Sequence, residues 1–271
     1  MKRVTLAASL FIASVLLFPT AADATVTLGP NPLPGRSAIL SGGPASTLVD
    51  TAVPGAILAS PFDGVIVRWR AQRTDGPGLM QPDTIALRVL HPTGTPNEFL
   101  GTGSSDSHSL PSDTDPIGVR EFTTSLPIRA GDLIGYDSAS DYIPAASSAS
   151  ASYSSANVFP DGQSASFAAT PGWYELINAD VDPELTSITA APRAKVKTKK
   201  KRVRVSFAFS SNAQGVGFSC SLDGAAPSVC TSPASFRVRR GSHGFQVQAT
   251  YKGAPFGSPA TNGFRVKRKK K

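Results

Sequence analysis

The strongest constraint on this chain is alternation. "RVRVSFAF" (202–209) and "GFQVQATY" (244–251) carry an apolar residue at every second position. Period two suits a β-strand, whose successive side chains point to opposite faces, and it does not make the single stripe of an α-helix. In the first run Val203, Val205, Phe207 and Phe209 share a face, with Arg202 and Arg204 opposite. In the second, Phe245, Val247, Ala249 and Tyr251 share one. "ASFRVRRG" (234–241) sets Phe236 and Val238 inward against Arg237 and Arg239, and "NGFRVKRKKK" (262–271) sets Phe264 and Val266 inward. Short strands at this spacing predict an immunoglobulin-like sandwich.

The preceding residues show the same period between clusters of Gly, Pro, Asp and Ser. "DGVIVRWRAQ" (63–72) places Val65, Val67, Trp69 and Ala71 on one face and Arg68 and Arg70 on the other. "TIALRVLHP" (84–92) aligns Ile85, Leu87 and Val89. "VREFTTSLPIRAGDLIGYD" (119–137) reads as strand, turn at Ala130-Gly131-Asp132, and strand. "SASFAAT" (164–170) and "GWYELINADVD" (172–182) read as closing strands, and the small, polar residues 140–163 as a long loop or weak edge strand. The expected fold is all-β: two β-sandwich domains, jelly-roll or galactose-binding-like and then immunoglobulin-like, after a signal peptide.

The signal peptide is residues 1–24. Lys2 and Arg3 precede an apolar run from Val4 to Phe18, and Ala22-Asp23-Ala24 is a small-x-small cleavage pattern. The run is shorter than the ~20 residues of a membrane span. The mature product is therefore expected to be secreted, extracellular or wall-associated, without a transmembrane segment.

Charge divides the rest. Residues 25–184 hold 7 basic and 17 acidic side chains, whereas residues 185–271 hold 18 basic ones and a single acid, Asp223. This places an acidic sandwich at 25–184, a basic linker and first strand at 185–201, and an immunoglobulin-like domain with a basic tail at 202–271.

Cys220 and Cys230, the only cysteines, flank the turn signal Asp223-Gly224. A zinc site wants about four ligands, and only His243 is near enough in sequence to join them; a redox motif wants Cys-x-x-Cys spacing. In an exported chain an even cysteine count favours a disulfide over both.

The stretch "FSCSLDGAAPSVCTSPASFRVRRGSHGFQVQATYKGAPFGSPATNGFRV" resembles a small immunoglobulin-like module that recurs in secreted proteins of high-GC Gram-positive bacteria, the actinobacteria. The resemblance rests on Phe-x-Cys-Ser-Leu-Asp-Gly at 218–224, Cys-Thr-Ser-Pro at 230–233, Gly-x-His-x-Phe-x-Val-x-Ala at 241–249 and Pro-Ala at 259–260. Tyr251-Lys252-Gly253 departs from the family's Asp-x-x-Gly-Asn turn. "IRAGDLIGYD" and "ELINADVDPE" are similar to the β-sandwich found upstream of such modules. The resemblance implies a non-catalytic spacer or surface-interaction unit and supplies no catalytic residues.

Two binding surfaces are candidates. Arg202, Arg204, Arg237 and Arg239 are expected outward on neighbouring strands, extended by Lys195, Lys197 and Lys199, with Lys267 opening a cationic tail. Such density attracts polyanions over a range set by salt screening. An anionic cell-wall polymer or polysaccharide is the expected partner; nucleic acid is least favoured, because the face lacks interleaved aromatics. Trp173 and Tyr174 are candidates for stacking on sugar rings, with Trp69 placed in the core by its valine neighbours. Calcium would need six to eight oxygen ligands. Asp106, Asp113, Asp115, Asp137 and Asp141 match no calcium loop and read as solvated turns, so neither metal nor cofactor is expected. His91, His108 and His243 complete no hydrolase motif, and the chain is read as non-enzymatic.

Overall fold

A computed structural model describes residues 24–35, 38–41, 45–72, 83–110, 118–139 and 142–269. The proposed signal peptide thus lies outside the described residues apart from Ala24, as do Asp113, Asp115 and Asp141. The described chain is all-β, and none of it is a helix long and apolar enough to cross a membrane.

The N-terminal domain comprises β1 (Val26–Leu28), β2 (Ala38–Ser41), β3 (Ser46–Ala52), β4 (Gly64–Gln72), β5 (Asp83–Pro92), β6 (Glu98–Ser104), β7 (His108–Leu110), β8 (Val119–Ile128), β9 (Leu133–Ser138), β10 (Tyr142–Asn157), β11 (Ser164–Ser166), β12 (Ala168–Glu175) and β13 (Ile177–Pro183). One sheet runs β1-β13-β4-β8; the other runs β11-β6-β5-β9-β3-β10-β12, with β2 on β10 and β7 on β5. Between them lie Leu28, Leu48, Ile66, Trp69, Leu87, Ile128 and Val181, all fully buried or nearly so.

Two local readings change. Residues 142–157, expected as loop or edge, form a strand paired with both β3 and β12. Its Ala145, Ala146, Ala151 and Ser154 are buried, and small side chains let neighbouring layers approach without the bulky alternation that marks other strands. In β4 a bulge between Ile66 and Arg68 breaks the expected phase. Ile66 and Trp69 enter the core, whereas Val65 and Val67 pack toward the other domain.

The C-terminal domain comprises β14 (Thr186–Ala190), β15 (Lys195–Thr198), β16 (Val203–Ser211), β17 (Gly217–Leu222), β18 (Ser228–Cys230), β19 (Ala234–Val238), β20 (Gly241–Tyr251) and β21 (Ala254–Arg268). Sheet β14-β16-β19 faces sheet β15-β21-β20-β17-β18. The segment expected as linker and first strand therefore supplies two strands, one to each sheet. Pro192, which cannot donate a ladder hydrogen bond, lies where the chain changes sheets. Inside, Phe207 stacks on Phe245 with centroids 3.9 Å apart, ringed by Phe209, Phe264 and Val247.

Cys220 and Cys230 form a disulfide with Cα atoms 5.8 Å apart. Asp223 and Gly224 take φ of 56° and 75°, closed by Ala225 N–H donating to the Leu222 carbonyl at 3.1 Å, a tight hairpin turn that needs positive φ at both positions. Lys252-Gly253, at 50° and 79°, makes the same turn between β20 and β21.

The domains meet across an apolar cluster of Val65, Ala213, Ala249 and Phe256. Arg129 of the N-terminal domain donates to the Tyr251 and Pro255 carbonyls at 2.7 and 2.9 Å, and its guanidinium lies over the Phe256 ring. The Tyr251 hydroxyl donates to the Thr102 carbonyl, and Gly257 N–H donates to Asp63. Gly257 has φ +62°, and a Cβ there would collide with Glu184. Burial pushes the Glu184 carboxyl above the usual range, against hydrogen bonds from Ser211 and Thr186.

Candidate polyanion-binding surface

The strand register decides where the basic residues gather. Arg204 stands directly opposite Arg237 on the outward side of β16 and β19, and Arg202 and Arg239 flank the end of that ladder; all four are exposed. Lys267 lies elsewhere. In the parallel pairing of β15 with β21, Lys197 stands beside Lys267 and Lys195 beside Arg265, on the five-stranded sheet. The expected single face is thus two ladders on opposite sheets, because β15 crosses over after Pro192.

The ladders converge at one end of the sandwich. Val203 pairs with Val238, Gly241 with Val266 and Thr198 with Arg268, so these strand ends share a pole. Lys199, Lys200 and Lys201 fill the turn between β15 and β16. Arg240 spans to that turn, donating to the Lys199 carbonyl at 3.1 Å, and Lys269 N–H donates to the Thr198 carbonyl at 3.0 Å. The domain junction, built from Asn212, Tyr251, Pro255 and Gly257, lies at the opposite end of the same strands. Among the described residues no ion pair joins the basic domain to the acidic one. The pole faces outward.

Its one acid is occupied. Asp223 accepts from Gly244 N–H at 3.0 Å and pairs with His243 Nδ1 at 2.8 Å, while His243 Nε2 lies 3.0 Å from the Arg239 carbonyl. Burial opposes charge on the imidazole, yet Asp223 and the Arg239 carbonyl outweigh it and raise its pKa. Burial would raise Asp223, but His243 and the Gly244 N–H together outweigh it and hold its pKa below the ordinary value. Chemically the surface offers guanidinium forks and mobile ammonium groups without a competing free carboxylate nearby, the array that multidentate phosphate or carboxylate chains fit.

The pole residues Lys200, Arg240 and Arg265 are not among the residues the sequence singles out. Alternation assigns faces, but only the pairing register shows which strand ends meet.

The other candidates do not converge. Trp173 packs half-buried against the N-terminal core, and Tyr174, the next residue on β12, takes the opposite side of the strand. Trp69 is fully buried. Asp137 is taken by Thr47 and Arg88, and among the described residues no group of three or more His, Cys, Asp and Glu could hold a metal. His91 pairs with Asp132, and His108 stacks on Phe122.

No protein-family model matches this chain, and no curated protein matches it closely enough to be a relative.

Proposed function

We propose that this is an exported, non-catalytic interaction protein of the cell envelope or its surroundings, whose C-terminal domain holds an anionic wall polymer or acidic polysaccharide. The observation that carries the proposal is the cationic pole, directed away from the domain junction. Fixed cations gathered at one end of a rigid sandwich raise the local concentration of a flexible polyanion, and the junction keeps the acidic domain from neutralising them. A polymer suits the arrangement because two ladders and a connecting turn extend over both sheets, further than a small ligand reaches. The N-terminal domain then acts as a folded spacer that carries its own surface.

The test is co-sedimentation with isolated cell walls. The protein is expected to pellet at low ionic strength and to be released by added salt, because exposed charges are screened over about 8 Å at physiological salt. Charge reversal at Arg204, Arg237 and Arg240 should shift release to lower salt. Equal soluble recovery at every ionic strength would sink the proposal.

A further inference from the structure

We infer that the groove on the outer face of the four-stranded sheet of the N-terminal domain is a binding site for a neutral saccharide, separate from the cationic pole. The groove has a volume of about 600 Å³, within the range of small-ligand sites. Two cross-sheet rows form it. Thr27, Asp180 and Arg68 stand in register across β1, β13 and β4, and Asn178 and Arg70 across β13 and β4, with Glu121, the β8 neighbour of Arg70, just outside the groove. Pro32, Leu33 and Val119 add apolar surface at the margin.

The polar groups are already fixed by one another. Arg68 Nη2 and Arg70 Nη2 donate to Asp180 Oδ2 at 2.6 and 2.7 Å, Arg70 Nε donates to Glu121 at 2.9 Å, and Thr27 donates to Asp180 at 2.9 Å. Asn178 is held by donating to the Pro30 carbonyl and accepting from Arg70. Burial would raise Asp180, but the two arginines and Thr27 outweigh it and hold its pKa at about 2, so it stays ionised. A ligand entering this groove finds donors and acceptors whose ordering cost is already met within the fold.

Charge balance selects the ligand class. The two guanidinium groups are already paired with Asp180 inside the groove and with Glu121 beside it, so an anion must compete with those carboxylates and a cation with those guanidinium groups. A hydroxyl both donates and accepts, and a ring bearing several can use both kinds of group at once. The side chains of Arg68 and Glu121 are 43% and 47% exposed, leaving each with an open edge. Val119, 46% exposed, offers a surface for the C–H face of a sugar ring.

The experiment is a heteronuclear NMR titration of the full chain with neutral gluco-, galacto-, manno- and N-acetylglucosamine di- and trisaccharides. A uronate trisaccharide and an uncharged Gly-Ser peptide are run alongside. A neutral sugar is expected to shift the amides of Thr27, Arg68 and Asn178. Arg68→Ala should weaken it about tenfold, the scale of one lost charge-assisted hydrogen bond. Val119→Trp, which fills the groove from an exposed position, should abolish it while leaving wall co-sedimentation unchanged. The inference is overturned if no neutral sugar moves those amides, if Val119→Trp binds as tightly as the parent, or if the uronate or the peptide is what moves them.

Discussion

In the N-terminal domain Asp50, Glu175 and Arg88 are all buried inside the sandwich, whereas every described Lys, Arg and Asp of the C-terminal domain is exposed. The first domain gives each of its buried ionisable groups its own partner. Asp50 accepts from Glu175 N–H at 2.8 Å, Glu175 accepts from the Tyr136 hydroxyl at 2.7 Å, and Arg88 reaches Asp137, Asp161 and the Phe159 carbonyl. The second fills its core with phenylalanine, adds a disulfide and sends all formal charge outward. Two sandwiches of one architecture therefore respond to different solution variables. The acidic domain is sensitive to pH through its interior, the basic one to salt through its surface.

The largest test of this contrast removes the aromatic interior of one side. Phe245 is 1% exposed and central to the C-terminal ring cluster. Phe245→Ala should cost about 3–5 kcal/mol through lost burial and an unfilled cavity. Both tryptophans belong to the N-terminal domain, so tryptophan fluorescence follows that domain's unfolding directly. In guanidinium the circular-dichroism transition should split, with an early C-terminal phase and a fluorescence phase that moves far less. A single transition that shifts as a whole would show that the junction makes one cooperative unit and would erase the contrast.

The next effect belongs to the acidic domain alone. Burial pushes the Asp50 carboxyl up to about 8, against the hydrogen bond from Glu175 N–H, and burial together with the Asp50 charge pushes Glu175 well above its usual range. In the unfolded chain such groups ionise near pH 4. The folded state thus binds protons more tightly. Its stability from this pair is complete below about pH 4 and is lost as pH rises toward about 8, on the order of a few kcal/mol. Thermal unfolding followed by tryptophan fluorescence should show a falling midpoint over that window, and Asp50→Asn should flatten the fall. A flat wild-type profile would mean the pair is solvated.

Much of this was legible in the alternation, and the parts that were not share physical causes. Phe207, Phe245 and Val247 declared their faces because bulky apolar residues alternate with polar ones. β10 did not, because Ala and Ser bury well in a close-packed layer yet resemble a loop in composition. The bulge in β4 escaped because Val65, Ile66 and Val67 are all apolar, so either phase reads as plausible. The exposed arginines could be assigned to strands, whereas the pole depends on register and on the sheet change at Pro192. Asp50 and Glu175 lie on β3 and β12, and nothing in the neighbouring sequence marks them as interior.

A smaller effect isolates the staple of the basic domain. The Cys220–Cys230 bridge closes a short loop of sequence separation 10. On the chain-entropy account reduction should cost about 2.5–3 kcal/mol. Chemical unfolding with and without reductant should move the C-terminal phase alone, and by more at low salt, where repulsion among the cations is least screened. Equal shifts in both phases would place the effect of the bridge at the junction instead.

The smallest effect has an unusual sign. Arg204 and Arg237 are direct cross-strand neighbours, and like charges in that position destabilise a sheet. Arg237→Glu replaces the repulsion with an opposite-charge pair, so the C-terminal domain should gain about 0.2–1 kcal/mol at low ionic strength, and the gain should fade as salt is added. The same substitution should lower the salt concentration at which the protein leaves cell walls. Stability and wall retention would then move in opposite directions on one change, as expected of a charge kept for contact rather than for folding. If Arg237→Glu leaves retention untouched while stabilising the domain, the arginine ladder is not part of the binding surface, and the contact must rest on the lysine ladder and the turn at Lys199–Lys201.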